Sequence, residues 1–203
     1  VIAQSDSQRP AVSHIVNEVF SSCTYVIDPA AEGDVTLVDC GDVLALPHAT
    51  LVRCRTVLLT HAHFDHIYGL NQLLRVAPQA LIYTNAEGRE ALLSDKLNLS
   101  KYHGDPFVIA HPQQVRVVTD GEAVHLTPSL VATAMFTPGH NPSCITWMVG
   151  DDAMFTGDSY IPGINVVTNI PRANRAQAAA SLQRILALAP THTIYPGHSP
   201  QDE

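Results

Sequence analysis

The sequence predicts a mixed α/β (α+β) domain organised around a short run of histidines and an aspartate. Short apolar runs of strand character alternate with segments of helical period. Four of those runs end in a tight turn that delivers a histidine or an aspartate. One of them opens Thr60-His61-Ala62-His63-Phe64-Asp65-His66, which places four potential metal ligands within six residues, directly after Val57-Leu58-Leu59.

At 203 residues and 46% hydrophobic, the chain is long enough for one domain with a sizeable core. The formal charge of −8, with Lys96 and Lys101 as the only lysines, argues against nucleic acid as a partner. A small-molecule substrate is expected instead. No stretch approaches the roughly 18 apolar residues of a bilayer-spanning helix, so no membrane partner is expected. Cys23, Cys40, Cys54 and Cys144 are widely spaced, form no C-x-x-C pair, and read as free buried thiols in a reducing, cytoplasmic setting. The start at Val1 reads as a trimmed N-terminus, with Val1-Ile2-Ala3 as the tail of a removed signal peptide in the exported alternative.

Residues 1–13 are expected to be a disordered leader or trimmed terminus, and 14–203 a single domain. Strands are predicted over 14–20, 23–27 and 35–38, with Asp28-Pro29 and Glu32-Gly33-Asp34 as turns between the last two. Asp39-Cys40-Gly41-Asp42 closes this meander. A strand over 57–60 enters the ligand run. A helix follows from about 67, with Ile67, Leu70, Leu73 and Leu74 on one face and Pro78 past its end. Next come a strand at 80–83 and a helix over 86–93 capped by Asn85. From 94 to 112 the periodicity is lost, which marks a binding loop or lid with Tyr102, His103 and Phe107 as contacts. Strands resume at 114–118, 123–126, 130–136, 144–149 and 153–155. The last helix spans 175–188, with Asn174 and Gln177 resembling a capping box and Leu182, Ile185, Leu186 and Ala189 on one side. A strand at 193–195 follows.

The recurrence carries the functional argument. Val57-Leu58-Leu59-Thr60 leads into His61, and Ala134-Met135-Phe136-Thr137-Pro138-Gly139 into His140. Met154-Phe155-Thr156-Gly157 leads into Asp158, and Thr193-Ile194-Tyr195-Pro196-Gly197 into His198. If these strands share one core, their ends converge, and unpaired imidazoles and carboxylates there would be costly without a cation. His61 and His63 can meet on one ion, leaving Asp65 and His66 for a second. The seven ligand types His61, His63, Asp65, His66, His140, Asp158 and His198 exceed one four-coordinate zinc and fit two with a shared carboxylate. Histidines 14, 48, 103, 111, 125 and 192 match no ligand motif.

These residues resemble the metallo-β-lactamase superfamily. H-x-H-x-D-H stands as His61, His63, Asp65 and His66, and the later ligands match at Thr-Pro-Gly-His140, Thr-Gly-Asp158 and Pro-Gly-His198, over about residue 14 to the end. The resemblance implies a four-layer αββα sandwich with a dinuclear site along one edge, holding two zinc ions, or iron or manganese in their place. It implies that His61, His63 and His140 hold the first metal and that Asp65, His66 and His198 hold the second. Asp158 would bridge them. Asp39, in Val-Asp-Cys-Gly, matches an acidic residue that supports the ligands from behind.

Two zinc ions sharing a water lower its pKa and supply hydroxide, with Asp65 as the catalytic side chain that orients it and helps move its proton. The expected reaction is hydrolysis of a thioester, ester or lactone carbonyl. Five histidines plus a bridging aspartate look like the glyoxalase II group of thioester hydrolases. True β-lactamases of the family lack that aspartate. The sequence departs from glyoxalase II after Asp158, where the expected basic and aromatic pattern is missing, and after His198, where Ser199-Pro200 replaces an aromatic. Its C-terminal helical region also has no counterpart here, so glutathione thioesters are one candidate among several. The alternatives are a mononuclear-iron persulfide dioxygenase on the same fold, a nuclease of the same superfamily, and a non-catalytic metal-binding protein. The charge disfavours the nuclease, and the complete ligand set disfavours the last. Tyr68, Tyr102, Tyr160 and Arg172 are the candidate substrate contacts, with pocket walls expected from 94–112 and 160–171.

Overall fold

The computed structural model describes residues 11–29 and 33–199. Its first sheet has six strands in sequence order: β1 (Ala11–Val16), β2 (Cys23–Asp28), β3 (Val35–Val38), β4 (Cys54–Leu58), β5 (Leu81–Thr84) and β6 (Val115–Val117). β1 to β3 form an antiparallel meander, and β3 to β6 are parallel. Parallel neighbours need crossovers, and these contain α1 (His48–Leu51), α2 (Leu70–Val76) and α3 (Ala86–Leu92). The second sheet runs β11 (Thr193–Pro196), β10 (Ala153–Gly157), β9 (Ile145–Val149), β8 (Val131–Phe136), β7 (Ala123–His125). Its one parallel pair, β10 and β11, is joined through α4 (Arg175–Leu188).

The period of two along each strand explains the layering. Cys23, Tyr25, Ile27, Val38 and Leu58 meet Ala132, Ala134, Ile145, Trp147 and Phe155 in the core between the sheets. Their neighbours Val26, Leu37, Val57 and Leu59 turn the other way and pack with Leu70, Leu73, Leu74 and Leu92 of the helices. Each of the large side chains buried here stabilises the fold by about 1.5–3 kcal/mol. The result is the expected αββα sandwich of two mixed sheets flanked by helices.

Several expected elements shift for local reasons. The strand expected over 14–20 runs from Ala11 to Val16 instead, because Phe20 and Ser21 adopt left-handed backbone (φ 56 and 54) and turn the chain. Residues 11–13 thus belong to a strand, while 1–10, the polar run 4–10 among them, lie outside the described residues. The helix expected from 67 starts at Leu70, after Phe64–His66 form a single 3-10 turn. The segment 94–112 is largely packed. Asn98 donates to Ala91 O and Phe107 O, and Phe107 is buried in the helix-side core rather than being a contact residue. α4 has its expected bounds but buries Ala178, Ser181 and Ile185, whereas Leu186 is 44% exposed. The small side chains face inward because the Gly139 backbone passes against Ala178. Asn174 Oδ1 accepts from Gln177 N as a cap should, but its own N–H donates to Gly139 O, so the reciprocal half of a capping box is replaced.

Candidate metal centre

The four turn-delivered ligands do converge. His61 follows β4, His140 follows β8, Asp158 follows β10 and His198 follows β11, so both sheets contribute to one edge. Backbone bonds lock the strand ends together: Ile145 N donates to Thr60 O, Gly197 N to Gly157 O, and Cys23 N to Gly197 O. Gly157 is required in its turn. Its φ is 52, and a Cβ there would lie 2.5 Å from Thr60.

Three groups of donor atoms lie within metal-binding reach of one another: His61, His63 and His140; His61, His66 and Asp158; Asp65, His66 and His198. His63 Nδ1 is 3.1 Å from His61 Nε2 and 3.0 Å from His140 Nε2. His66 Nε2 is 3.3 Å from His198 Nε2, and Asp65 Oδ2 is 3.2 and 3.4 Å from those two nitrogens. Asp158 lies between the groups, with Oδ2 3.4 Å from His140 Nε2 and 3.3 Å from His198 Nε2.

The opposite ring nitrogens fix the tautomers. His140 Nδ1 donates to Val167 O and His198 Nδ1 to Phe20 O, and a carbonyl oxygen can only accept. His66 Nδ1 donates to Asp39 Oδ2. Thr60 Oγ1 gives its own proton to Asp39 Oδ2 and so receives the His61 Nδ1 proton, at 3.3 Å. When these four rings are neutral, as metal binding requires, Nε2 is therefore the bare lone pair aimed at the centre. The amide of Asn141 lies 2.8 Å from His63 Nε2 and also bonds Ser143.

With those rings neutral, the Nε2 lone pairs of His61, His66, His140 and His198 face the carboxylate oxygens of Asp65 and Asp158, and Asp158 Oδ1 is buried without a hydrogen-bond partner. Such a cluster needs positive charge, and nitrogen and oxygen donors of this kind fit a divalent metal.

The electrostatics agree with that fit. Burial pushes the His61 pKa well down, aided by the neighbouring His66, and burial with His140 takes His63 to about 3. Burial works against a charged His66 too, but Asp65, Asp39 and Asp158 together raise its pKa well above the usual range. Burial raises the Asp158 pKa, yet His66, His61 and His198 outweigh it and hold the carboxyl well below the carboxylate norm.

Asp39 is where the sequence places it, behind the ligands. Its Oδ1 accepts from Thr60 N, and Oδ2 from Thr60 Oγ1 and His66 Nδ1. The expected substrate contacts are scattered. Tyr68 is half-buried against the helix-side core, and Tyr102 is 63% exposed at the surface. The Tyr160 carbonyl accepts from Thr156 Oγ1, and Arg172 pairs with Glu87 of α3. None of the four lines the cleft beside the centre, whose walls are His140, Asp158, Ile161, Ile164, Asn165, Val166 and Val167. Thr60, Asn141 and the Phe20 carbonyl were not foreseen. A backbone acceptor leaves no mark in a sequence, and Asn141 had only its position after His140 to commend it.

An αββα sandwich with three overlapping groups of His and Asp donors on one edge defines a metal-binding centre of dinuclear type, consistent with a metal-dependent hydrolase. The chain belongs to the metallo-β-lactamase superfamily, whose family model matches residues 16–198. It is 32% identical over 149 residues to "Probable metallo-hydrolase YqgX" of Bacillus subtilis (strain 168), covering 72% of this chain and 69% of that protein. It is 30% identical over 172 residues to a hydroxyacylglutathione hydrolase of Xylella fastidiosa (strain 9a5c), covering 83% of this chain and only 57% of the relative. Among solved structures, the BLEG-1 B3 metallo-β-lactamase superposes with a TM-score of 0.81 at 22% identity, covering 94% of this chain and 92% of that one. TTHA1623 in a di-iron-bound form gives 0.73 at 25%, covering 93% and 92%. Metallo-β-lactamases and hydroxyacylglutathione hydrolases both stand among the similar proteins, so the expected special closeness to glyoxalase II is not singled out. Among the described residues, no helix is long and apolar enough to cross a membrane.

Proposed function

We propose that the protein is a dinuclear metal hydrolase that cleaves the carbonyl of a small thioester, ester or lactone. The observation that carries this reading is Asp158, whose carboxylate reaches ligands of both groups at once. His61, His63 and His140 would hold one ion and Asp65, His66 and His198 the other. Zinc is the first expectation for this donor set, with iron or manganese as alternatives. When bound, two divalent ions polarise a carbonyl and bring the pKa of water from about 15.7 toward about 7.

The remaining work falls to the chain. Asp65 is kept ionised, because His66 and His198 outweigh the effect of its burial, so it is available to take a proton during attack. Asp39 and Thr60 hold His66 and His61 in the tautomers that ligate. A hydroxyacylglutathione hydrolase among the relatives supports thioesters as the first class to assay.

The test is metal analysis of protein purified without added metal, followed by a thioester, ester and lactone panel. About two zinc ions per chain and turnover of one class are expected. About one iron per chain with oxygen consumption on persulfides would overturn the proposal.

A further inference from the structure

The cleft beside His140 and Asp158 is walled on its other side by Ile161, Ile164, Val166 and Val167, with Asn165 as the one neutral polar side chain. Among the described residues, no lysine or arginine lines it. This wall is a built feature. Ile164 N donates to Ile161 O across a turn in which Gly163 takes φ 81, and Val167 O receives the His140 Nδ1 proton. Arg172, the basic residue just beyond it in sequence, is committed to Glu87. About 220 Å³ of empty space lies along it, open solvent at its mouth included.

Resting on the hydrolase reading above, we infer that the substrate's acyl group is aliphatic and uncharged, and that it lies against Ile161, Ile164, Val166 and Val167. The leaving group develops negative charge as the bond to the carbonyl carbon breaks, and an apolar wall is the costly place to put it. The acyl chain carries no such charge and gains by burial there. Away from the metal centre, an acyl group ending in a carboxylate would meet four aliphatic side chains and, among the described residues, no lysine or arginine.

The experiment uses the metal-loaded full chain and two thioesters of one thiol, pentanoyl and 4-carboxybutanoyl. The wild type should favour the pentanoyl ester by about tenfold or more in kcat/KM. Ile164 is 49% exposed, so Ile164→Lys leaves the core untouched while giving the carboxylate a partner. It should shrink or reverse the preference at unchanged metal content. Equal or inverted preference in the wild type, or no change in the variant, would overturn the inference while leaving the hydrolase reading intact.

If neither thioester is cleaved, the hydrolase reading rests on the ester and lactone panel, and methyl NMR decides the inference separately. Shifts at Ile161, Ile164, Val166 and Val167 with pentanamide but not with 4-carboxybutanamide uphold it. Shifts with both alike, or with neither, sink it.

Discussion

Asp39 Oδ2 lies 2.8 Å from His66 Nδ1, and Asp39 presents that carboxylate from a left-handed backbone with φ 59. The conformation costs about 1–2 kcal/mol for an ordinary L-residue, and the three bonds accepted from Thr60 and His66 offset it. The same carboxylate receives a proton from both His66 and Thr60, so it sets the tautomer of His66 directly and that of His61 through the threonine.

Asp39→Asn therefore separates shape from charge. Asparagine tolerates this backbone, and its oxygen can still accept from Thr60 N. Its amide protons then face His66 Nδ1, which must give up its own proton to Nε2, the ligating atom. The expected loss is about 10–100-fold in affinity for the ion held by Asp65, His66 and His198, with the fold retained. A chelator-competition titration beside a circular dichroism melt measures both.

Acidification should empty the two positions in sequence. Protons compete with metal for imidazole. Burial keeps His61 and His63 neutral far below the ordinary histidine range, His63 down to about 3. His66 and His198 instead bind protons more readily than free histidine, since their carboxylate neighbours outweigh burial. As pH falls, the His66 and His198 group takes up protons first and releases its ion, while the His61 and His63 group keeps its own. Metal per chain after dialysis at descending pH should fall in two steps, and a single step would contradict this order.

Removing metal should cost stability as well as activity. Binding confined to the folded state contributes about 4.1 kcal/mol at a thousandfold excess over Kd, or roughly 8–16 °C in melting temperature for a domain of this size. Thermal melts with and without chelator, restored by added zinc, provide the check.

Gly197→Ala should act on the centre more than on the fold. A Cβ there would lie 2.2 Å from Asp158 Oδ1. The carboxylate that serves both groups would have to move, at a fold cost of about 1–3 kcal/mol. Metal content should fall well below the wild-type value in protein that still melts cooperatively.

The candidate ligands were legible because His61, His63, Asp65 and His66 crowd into six residues, while His140, Asp158 and His198 each follow a glycine turn, as at Thr137-Pro138-Gly139-His140. Core strands such as Val35–Val38 were legible from their period and their flanking turns. What could not be read is what depends on pairs distant in sequence. The burial of Phe107 is set by Asn98 bonding its carbonyl, and the inward face of α4 by the close passage of Gly139. Arg172 looked available until Glu87, 85 residues away, took its charge. Local pattern reports which groups can do chemistry, and tertiary packing decides which of them are free to do it.

The seam joining Ser22 to His198, with the Phe20 carbonyl on His198 Nδ1, closes a loop of 178 residues. During synthesis His61, His63, Asp65 and His66 leave the ribosome together, His140 follows, and His198 arrives last. The nascent chain therefore presents the His61, His63 and His140 donors well before the group that needs His198, so a cation held by the latter group would report that the last of the described strands has docked.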